Sequence, residues 1–580
     1  MKHPTRSWLR TAAFGPGAVL SLCLASLGLG AGTGSAQTLQ QRLNVVSARM
    51  KQLRDLSARL DESTKGKLSS GAQHLLRMAT TWDQIEPVLA RSAGSLNAPL
   101  LGRSLHPSGA LGQGAVSDPG TDLSFSRMGG FTQSETSTAW CGSHVLVAYN
   151  DSGSFLETFP IPGIGQSFNG YSLSTDGGRS FTDLGFLNPG QDLSNSLGGD
   201  PVAVCTDENT FYQSSIFQFL FSTGVSVSKS TDGGRTFADP VVPVLKDGAT
   251  HFIDKPWMAT DPSNPARLYV TYTDVDSTGF FGGPALCPGT LRLGIELVRS
   301  TDGGATWSAP TVVDNGCFPN RDQGSNVAVD RTGNVYVAWE QLPAFSPTNE
   351  IDIAKSTDGG ATFAPKSTVA TVTIVGSNFF GLLQGGFRNN EFPSLAIDLS
   401  HGGTSPLYIS WNDGRFGVTP DGFPPFFSGV TYNFGDALVS RSDDGGNSWS
   451  SPVKVNSDTS PADHFLPGVA VDPNGTVGVC FYDRHRDPTN FFIDRECARS
   501  NDGGQTWTSH RVTKRSFAPS IAGDLLINSV YMGDYDGLAA DTTGGSRGFL
   551  GAYGDNSRGN PDVKISKRFG TEDSDDGDDN

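Results

Sequence analysis

From about residue 130 onward, apolar residues come in short runs rather than long stripes. LYVTYT at 268–273, VYVAW at 335–339, LYISW at 407–411, VGVCFY at 477–482 and FLGAY at 549–553 are each bounded by Gly, Asp, Asn or Pro. Runs of this length, rich in Val, Ile, Tyr and Trp and separated by turn residues, predict strands of an all-β domain. The beginning of the chain follows a different period. Leu39, Leu43, Val46, Met50, Leu53 and Leu60 recur at steps of three and four, and Leu68, Leu75, Ala79, Trp82 and Leu89 repeat the pattern after a polar turn at 62–71. That spacing predicts a helical hairpin over residues 37–91. Residues 92–122, rich in Gly, Ser and Pro, read as a linker.

Two repeats run through the β region. The first is an eight-residue turn: STDGGRSF from Ser174, STDGGRTF from Ser230, STDGGATW from Ser300, STDGGATF from Ser356, SDDGGNSW from Ser442 and SNDGGQTW from Ser500. Its aspartates (Asp176, Asp232, Asp302, Asp358, Asp444 and Asp502) are short enough to accept N–H bonds across their own turn, its glycines open backbone angles closed to other residues, and its last residue is an aromatic ring to bury. These aspartates are therefore expected to be structural. The second repeat pairs a strand ending in Asp (WMATD, VAVD, LAID, VAVD, LAAD) with the strand after it. Seven such pairs accompany six turns, which predicts seven four-stranded blades, with six as the alternative, and a strand near Leu123–Met128 closing the last blade.

The repeated turn resembles the Asp box of the BNR-repeat proteins, a group of β-propellers that includes sialidases, other glycoside hydrolases and non-enzymatic receptors. The resemblance covers residues 130–568 and implies that the boxes join the third and fourth strands of each blade, on the face away from any active site. It also implies roles. In sialidases three arginines clamp the substrate carboxylate, a Tyr activated by a Glu is the nucleophile, and an Asp is the acid/base. Here the resemblance makes Arg388, Arg415 and Arg484 the candidate clamp, Tyr535 in the last blade the nucleophile, Glu391 before it the activating Glu and Asp151 at the end of blade 1 the acid. The Arg-Ile-Pro motif that opens catalytic sialidases is absent.

The leading segments of the first strands supply the other candidates. Counting back seven residues from the strand-ending Asp gives Asp200, Asp254, Glu391 and Asp534, with Gln323 and Phe465 breaking the pattern. First strands line the channel of a propeller, so these positions are expected to ring its mouth, with Lys255, Arg321, Arg388, Arg415, Arg484 and Arg558 around them as substrate-binding groups. Each carboxylate could equally cap a backbone N–H of the neighbouring blade. The strand-two exits also carry many Phe residues, among them Phe221, Phe280, Phe281, Phe416 and Phe492; they make either a binding patch or a surface covered by the helices.

Composition narrows the function classes. With Lys+Arg 42 against Asp+Glu 59, the net charge of -17 argues against nucleic acid and anionic membrane surfaces as partners. Lys2, Arg6 and Arg10 followed by the apolar stretch 17–29 and small residues up to Ala36 read as a signal peptide over residues 1–36, implying secretion. Cys141, Cys205, Cys287, Cys317, Cys480 and Cys497 then form an even, disulfide-forming set with no CxxC pair for zinc. The adjacent-blade and cross-strand positions predict the pairs Cys141–Cys205, Cys287–Cys317 and Cys480–Cys497. No cofactor is expected, apart from a structural Ca²⁺ as an option: DVDSTG at 274–279 begins like a Ca²⁺ loop but lacks a distal Glu. The acidic tail 569–580 is expected to be disordered. The expectation is a monomeric secreted glycoside hydrolase of the exo-α-sialidase type acting on extracellular glycans. Its alternative is a non-catalytic propeller that binds a glycan or protein through its loop face.

Overall fold

The computed structural model describes most of residues 114–569, apart from 119–131, 159–164, 378–381, 401–404, 417–431, 520–531, 542–547 and a few shorter gaps, together with part of 44–83. The expected signal peptide, most of the linker and tail, and the strand foreseen at Leu123–Met128 lie outside these residues.

Seven antiparallel sheets follow one another along the chain. Blade 1 has strands Gln133–Cys141, His144–Asp151, Asn169–Ser174 and Thr182–Phe186; blade 3 has His251–Asp261, Asn264–Asp276, Arg292–Ser300 and Thr311–Asp314. Blade 4 begins at Asn320–Val329, blade 5 at Ser394–Ile397 and blade 6 at His464–Val471. Blade 2 is built on Val202–Cys205, Phe211–Phe219, Ser222–Ser230 and Val241–Asp247, and blade 7 on Leu538–Ala540, Phe549–Asp555 and Asp562–Ile565. The first strand of each blade packs beside the first strand of the next, and that of blade 7 returns to blade 1, so the ring closes. The first strands of neighbouring blades belong to separate sheets, so the ring leaves each with a short edge facing the central channel, where it is shielded from pairing with another chain. Apolar side chains fill the spaces between blades; Tyr212, Met258 and Val270, for example, belong to one buried cluster between blades 2 and 3.

The last blade is completed from the N-terminal side, earlier in the chain than the sequence suggested. Val116 donates its N–H to Val563 O at 3.0 Å, Ile565 donates to Gly114 O at 3.1 Å, and Ala115 bridges Lys564. Residues 114–117, read from sequence as linker, thus supply the outer strand of blade 7.

The six repeated turns lie between the third and fourth strands of blades 1 to 6. All are stapled alike. In the fourth, Ser356 Oγ donates to Asp358 Oδ1 at 2.7 Å, the N–H of Thr362 to Oδ1 at 2.9 Å, and Thr362 Oγ1 to Oδ2 at 2.7 Å. Gly360 sits at φ 80°, where a side chain would be strained. These bonds hold the aspartates in their charged form. They leave no carboxylate free for chemistry, and the turns face away from the leading ends of the first strands.

Helical backbone runs through 47–57 and recurs between 64 and 83. Trp82 Nε1 donates to Ser47 Oγ at 2.9 Å and Arg54 pairs with Asp83 at 2.5 Å, joining the two helical stretches. The helices rest on the loop face of blades 2 to 4. Arg49 donates to Ser194 O at 2.7 Å, Arg59 to Ala249 O at 2.9 Å, and Arg321 to Thr64 Oγ1 at 2.9 Å. The three disulfides form with the expected pairing, at Cα separations of 6.3, 5.6 and 4.0 Å. No described helix is long and apolar enough to cross a membrane.

Candidate functional site at the channel mouth

The first strands begin with a β-bulge, visible as a register shift at 134/137 in blade 1, 254/257 in blade 3, 323/326 in blade 4 and 465/468 in blade 6. The bulge residue adopts positive φ: Glu135 53°, Asp200 54°, Lys255 48°, Gly324 67° and Leu466 50°. For residues other than Gly such angles cost of order 1 kcal/mol and persist only where the surroundings enforce them. Here the bulge residues of different blades meet. Lys255 Nζ lies 2.5 Å from Asp534 Oδ2 and 3.8 Å from Glu135 Oε1. Arg388, on the segment leading into blade 5, also binds Asp534 Oδ2. Glu135 Oε1 accepts the Asp534 N–H at 3.1 Å, and Glu135 Oε2 accepts Asn150 Nδ2 at 2.6 Å. Asn150 Oδ1 in turn accepts the Asp200 N–H at 2.7 Å. Five blades or their leading segments thus contribute to one polar knot in which every carboxylate is buried.

The environments split these carboxyls. Burial, reinforced by the adjacent Glu135 charge, pushes Asp200 well above the usual carboxylate range, so it stays protonated. Burial would raise Asp534 too, but the Arg388 and Lys255 cations prevail and hold it below that range. A protonated acid and an ionised carboxylate in one site form the usual acid/base division of labour.

Beside the knot opens a small cleft lined by Lys255, Trp257, Ser325, Asn326, Phe392, Leu466, Asp534, Tyr535 and Asp536 among others. The Tyr535 ring is packed edge-on against Trp257, with centroids 5.2 Å apart, and Lys255 Nζ stands 5.4 Å from its centroid. The Tyr535 hydroxyl is buried and has no hydrogen-bond partner among the described residues; burial pushes its pKa up. Asp534 Oδ1 and both Asp200 carboxylate oxygens likewise lack a donor among the described residues. Native interiors seldom leave polar atoms without partners, so this concentration marks a place for a ligand or water.

The sequence candidates divide. Asp534, Arg388 and Tyr535 come together at the cavity, and Asp254 stands close by, accepting Gln323 Nε2 at 2.6 Å. Glu391 does not hydrogen-bond Tyr535; its carboxylate accepts the Val375 N–H at 3.1 Å and Asn349 Nδ2 at 3.3 Å. Asp151 caps the short helix Ser152–Thr158, accepting the Gly153 N–H at 2.9 Å and Ser154 Oγ at 2.6 Å. The arginines do not converge. Arg415 pairs with Asp413 of its own blade at 2.6 Å, Arg484 with Asp463 of its own blade at 3.3 Å, Arg321 turns to the helices, and Arg558 is exposed. Asp274, the first acid of the Ca²⁺-loop-like segment, is ion-paired with Lys246 and Arg292, both at 2.8 Å. Phe221, Phe280, Phe281, Phe416 and Phe492 are about half exposed, with Arg59 of the helices 4.8 Å from the Phe281 ring centroid.

Sequence reasoning missed Glu135. The other bulge positions lie six residues before the strand-ending Asp, as Lys255 does before Asp261, but blade 1 has Cys141 in place of that Asp, so the count had no anchor. Blade 2 is one residue longer before Asp207, so Asp200 occupies the position of Lys255, not that of Asp254.

No protein-family model matches the chain, and no curated protein matches it. Solved structures do. A protein of unknown function from Dyadobacter fermentans is 13% identical with a TM-score of 0.38, covering 76% of this chain and 95% of its own. The GH93 α-L-arabinofuranosidase of Fusarium graminearum, solved with arabinobiose, is 14% identical with a TM-score of 0.41, covering 65% and 93%. A PL25 ulvan lyase is 9% identical with a TM-score of 0.41, covering 79% and 95%.

Proposed function

We propose that this chain is a secreted, monomeric propeller of the glycoside-hydrolase type that binds a glycan at the channel mouth and cleaves it there. The observation that carries the reading is the Tyr535 hydroxyl: buried, without a hydrogen-bond partner among the described residues, and on the wall of the cleft that Asp534 also lines. Asp200, kept protonated behind the wall of the cleft, is the proton source for the leaving oxygen as the glycosidic C–O bond breaks, and the ionised Asp534 takes up the proton of the nucleophile that attacks the anomeric carbon, either a water directly or the Tyr535 hydroxyl, whose glycosyl adduct water then releases. Trp257 and Phe392 give the apolar walls against which a sugar ring stacks.

The exo-α-sialidase version of this reading needs several guanidinium forks aimed at one carboxylate. Of the five candidate arginines, only Arg388 reaches the cavity's carboxylates, and it is committed to Asp534. The knot holds Glu135, Asp200, Asp254 and Asp534 against Lys255 and Arg388, a balance that favours neutral sugars over sugar acids. The test is a turnover panel of neutral aryl glycosides and aryl sialosides with the wild type and with Asp200→Asn. Cleavage of a neutral glycoside that falls at least a hundredfold in the variant supports the proposal. Cleavage of sialosides alone would restore the sialidase version, and binding without cleavage of any member would make the chain a binding module.

A further inference from the structure

A second cluster lies on the loop face of blade 6, where the segment from blade 5 meets the start of the first strand and the end of the second. His464 opens the first strand of that blade and is buried. Its Nε2 stands 3.0 Å from Asp458 Oδ1, on the segment between blades 5 and 6, and 3.0 Å from Asp483 Oδ1, at the end of the second strand. His485 follows in the next turn; one of its ring nitrogens lies within 4.8 Å of the His464 and Asp458 ligand atoms, and its ring is nearly parallel to that of His464.

The hydrogen bonds fix the His464 tautomer. Asn456 Nδ2 stands 2.8 Å from Asp436 Oδ1 and 2.9 Å from Asp458 Oδ1, which occupies both of its hydrogens. The Nδ1 of His464 therefore donates to Gly435 O, 3.0 Å away. Nε2 lies 3.0 Å from an oxygen of each carboxylate yet makes no hydrogen bond of acceptable geometry to either. Two carboxylates packed on one imidazole nitrogen need a positive charge among them, which a second ring proton or a bound cation supplies. A ring N–H donated to a backbone carbonyl is also how metal-binding histidines are oriented. Tetrahedral zinc bonds of about 2.1 Å would put ligand atoms about 3.4 Å apart, a spacing that fits a group whose ligand atoms all lie within 4.8 Å of one another.

Blade 3 shows what the same positions look like when they are neutralised by protein alone. Asp274 and Glu296 occupy the places of Asp483 and Glu496 in the strand register. There Lys246 and Arg292 each bind both carboxylates. In blade 6 only Arg486 does so, reaching Asp483 and Glu496 at 2.8 Å each, while Asp458 adds a third carboxylate. One fixed cation thus faces three acids and two histidines.

We infer that His464 Nε2, Asp458 and His485 bind one divalent transition-metal ion, with Zn²⁺ the ion best matched to two imidazoles and a carboxylate, and that the ion pins the segment between blades 5 and 6 to blade 6. This site is independent of the glycan site. The test is calorimetric titration of the chelator-treated full chain with Zn²⁺, alongside its melting temperature with and without the ion. One ion binds per chain and raises the melting temperature. His485→Ala, at a partly exposed position that the fold tolerates, weakens binding at least tenfold, whereas His251→Ala in blade 3 leaves it unchanged. Absence of stoichiometric Zn²⁺ binding by the wild type, or binding that survives both His485→Ala and Asp458→Asn, overturns the inference and leaves His464 as a protonated link between the two aspartates.

Discussion

At the scale of single residues, identical chemistry performs opposite tasks at the two ends of a blade. Asp176 of the first repeated turn accepts bonds from Ser174, Arg179 and Ser180, which more than offset its partial burial and hold its pKa below the ordinary value. Asp176→Ala leaves those donors to water and should cost about 1–2 kcal/mol, read as a lower denaturation midpoint with unchanged turnover per folded molecule. Because the folded pKa is depressed, this stabilisation is present above the unfolded value and is lost as pH falls through the folded one. Asp200 behaves in the reverse sense. Its raised pKa keeps a proton available at mildly acidic pH and surrenders it as pH rises, while Asp534 remains ionised until strongly acidic pH. A plot of kcat/KM against pH should therefore show a plateau on the acid side and fall towards alkaline pH; a rate that climbs steadily with pH contradicts the assignment of Asp200 as donor.

Sequence legibility also differs at this scale. The repeated turns could be read because everything they need lies within eight neighbouring residues. Tyr535 and Asp534 could be placed by counting from Asp541. Glu135 could not, because Cys141 replaces the marker Asp and is tied to Cys205 instead. The arginine clamp misled for a physical reason: a guanidinium near a loop face is satisfied by whichever carboxylate lies closest, and for Arg415 and Arg484 that was Asp413 and Asp463 of the same blade.

At the scale of elements, the strand pattern named the blades, but not the piece that closes the ring. Residues 114–117 have too little apolar content to stand out as a strand; they are held by backbone bonds to blade 7 and by the buried Val116 and Ser117. Chains beginning at residue 114 and at residue 119 should therefore differ sharply. The shorter one loses the outer strand of blade 7 and should melt at lower temperature with a broader transition in calorimetry; equal melting would mean that this strand contributes little to closure. The bulges belong to the same scale. Periodicity of two places a strand but does not show where an extra residue turns a side chain towards the axis, so the knot of Glu135, Lys255 and Asp534 was visible only as a ring of acids.

At the scale of the whole molecule, seven blades give a rigid ring whose loops share one face and whose staples lie on the other. The disulfides reinforce it unequally. Cys141–Cys205 spans 64 residues and links two blades, whereas Cys480–Cys497 spans 17 within one. Loop-closure entropy makes the longer link worth about 1 kcal/mol more, so replacing the Cys141–Cys205 pair by alanines should lower the denaturation midpoint further than replacing Cys480–Cys497; the opposite order would point to strain or residual structure in the unfolded chain. The central claim is that the channel mouth, and not the repeated turns, is where this protein acts. The most direct measurement is turnover of the best glycoside by Tyr535→Phe, with the melting temperature recorded on the same sample. Removing a buried hydroxyl that no described residue bonds should leave melting unchanged or slightly higher and reduce turnover at least a hundredfold. Undiminished turnover in Tyr535→Phe would contradict the account.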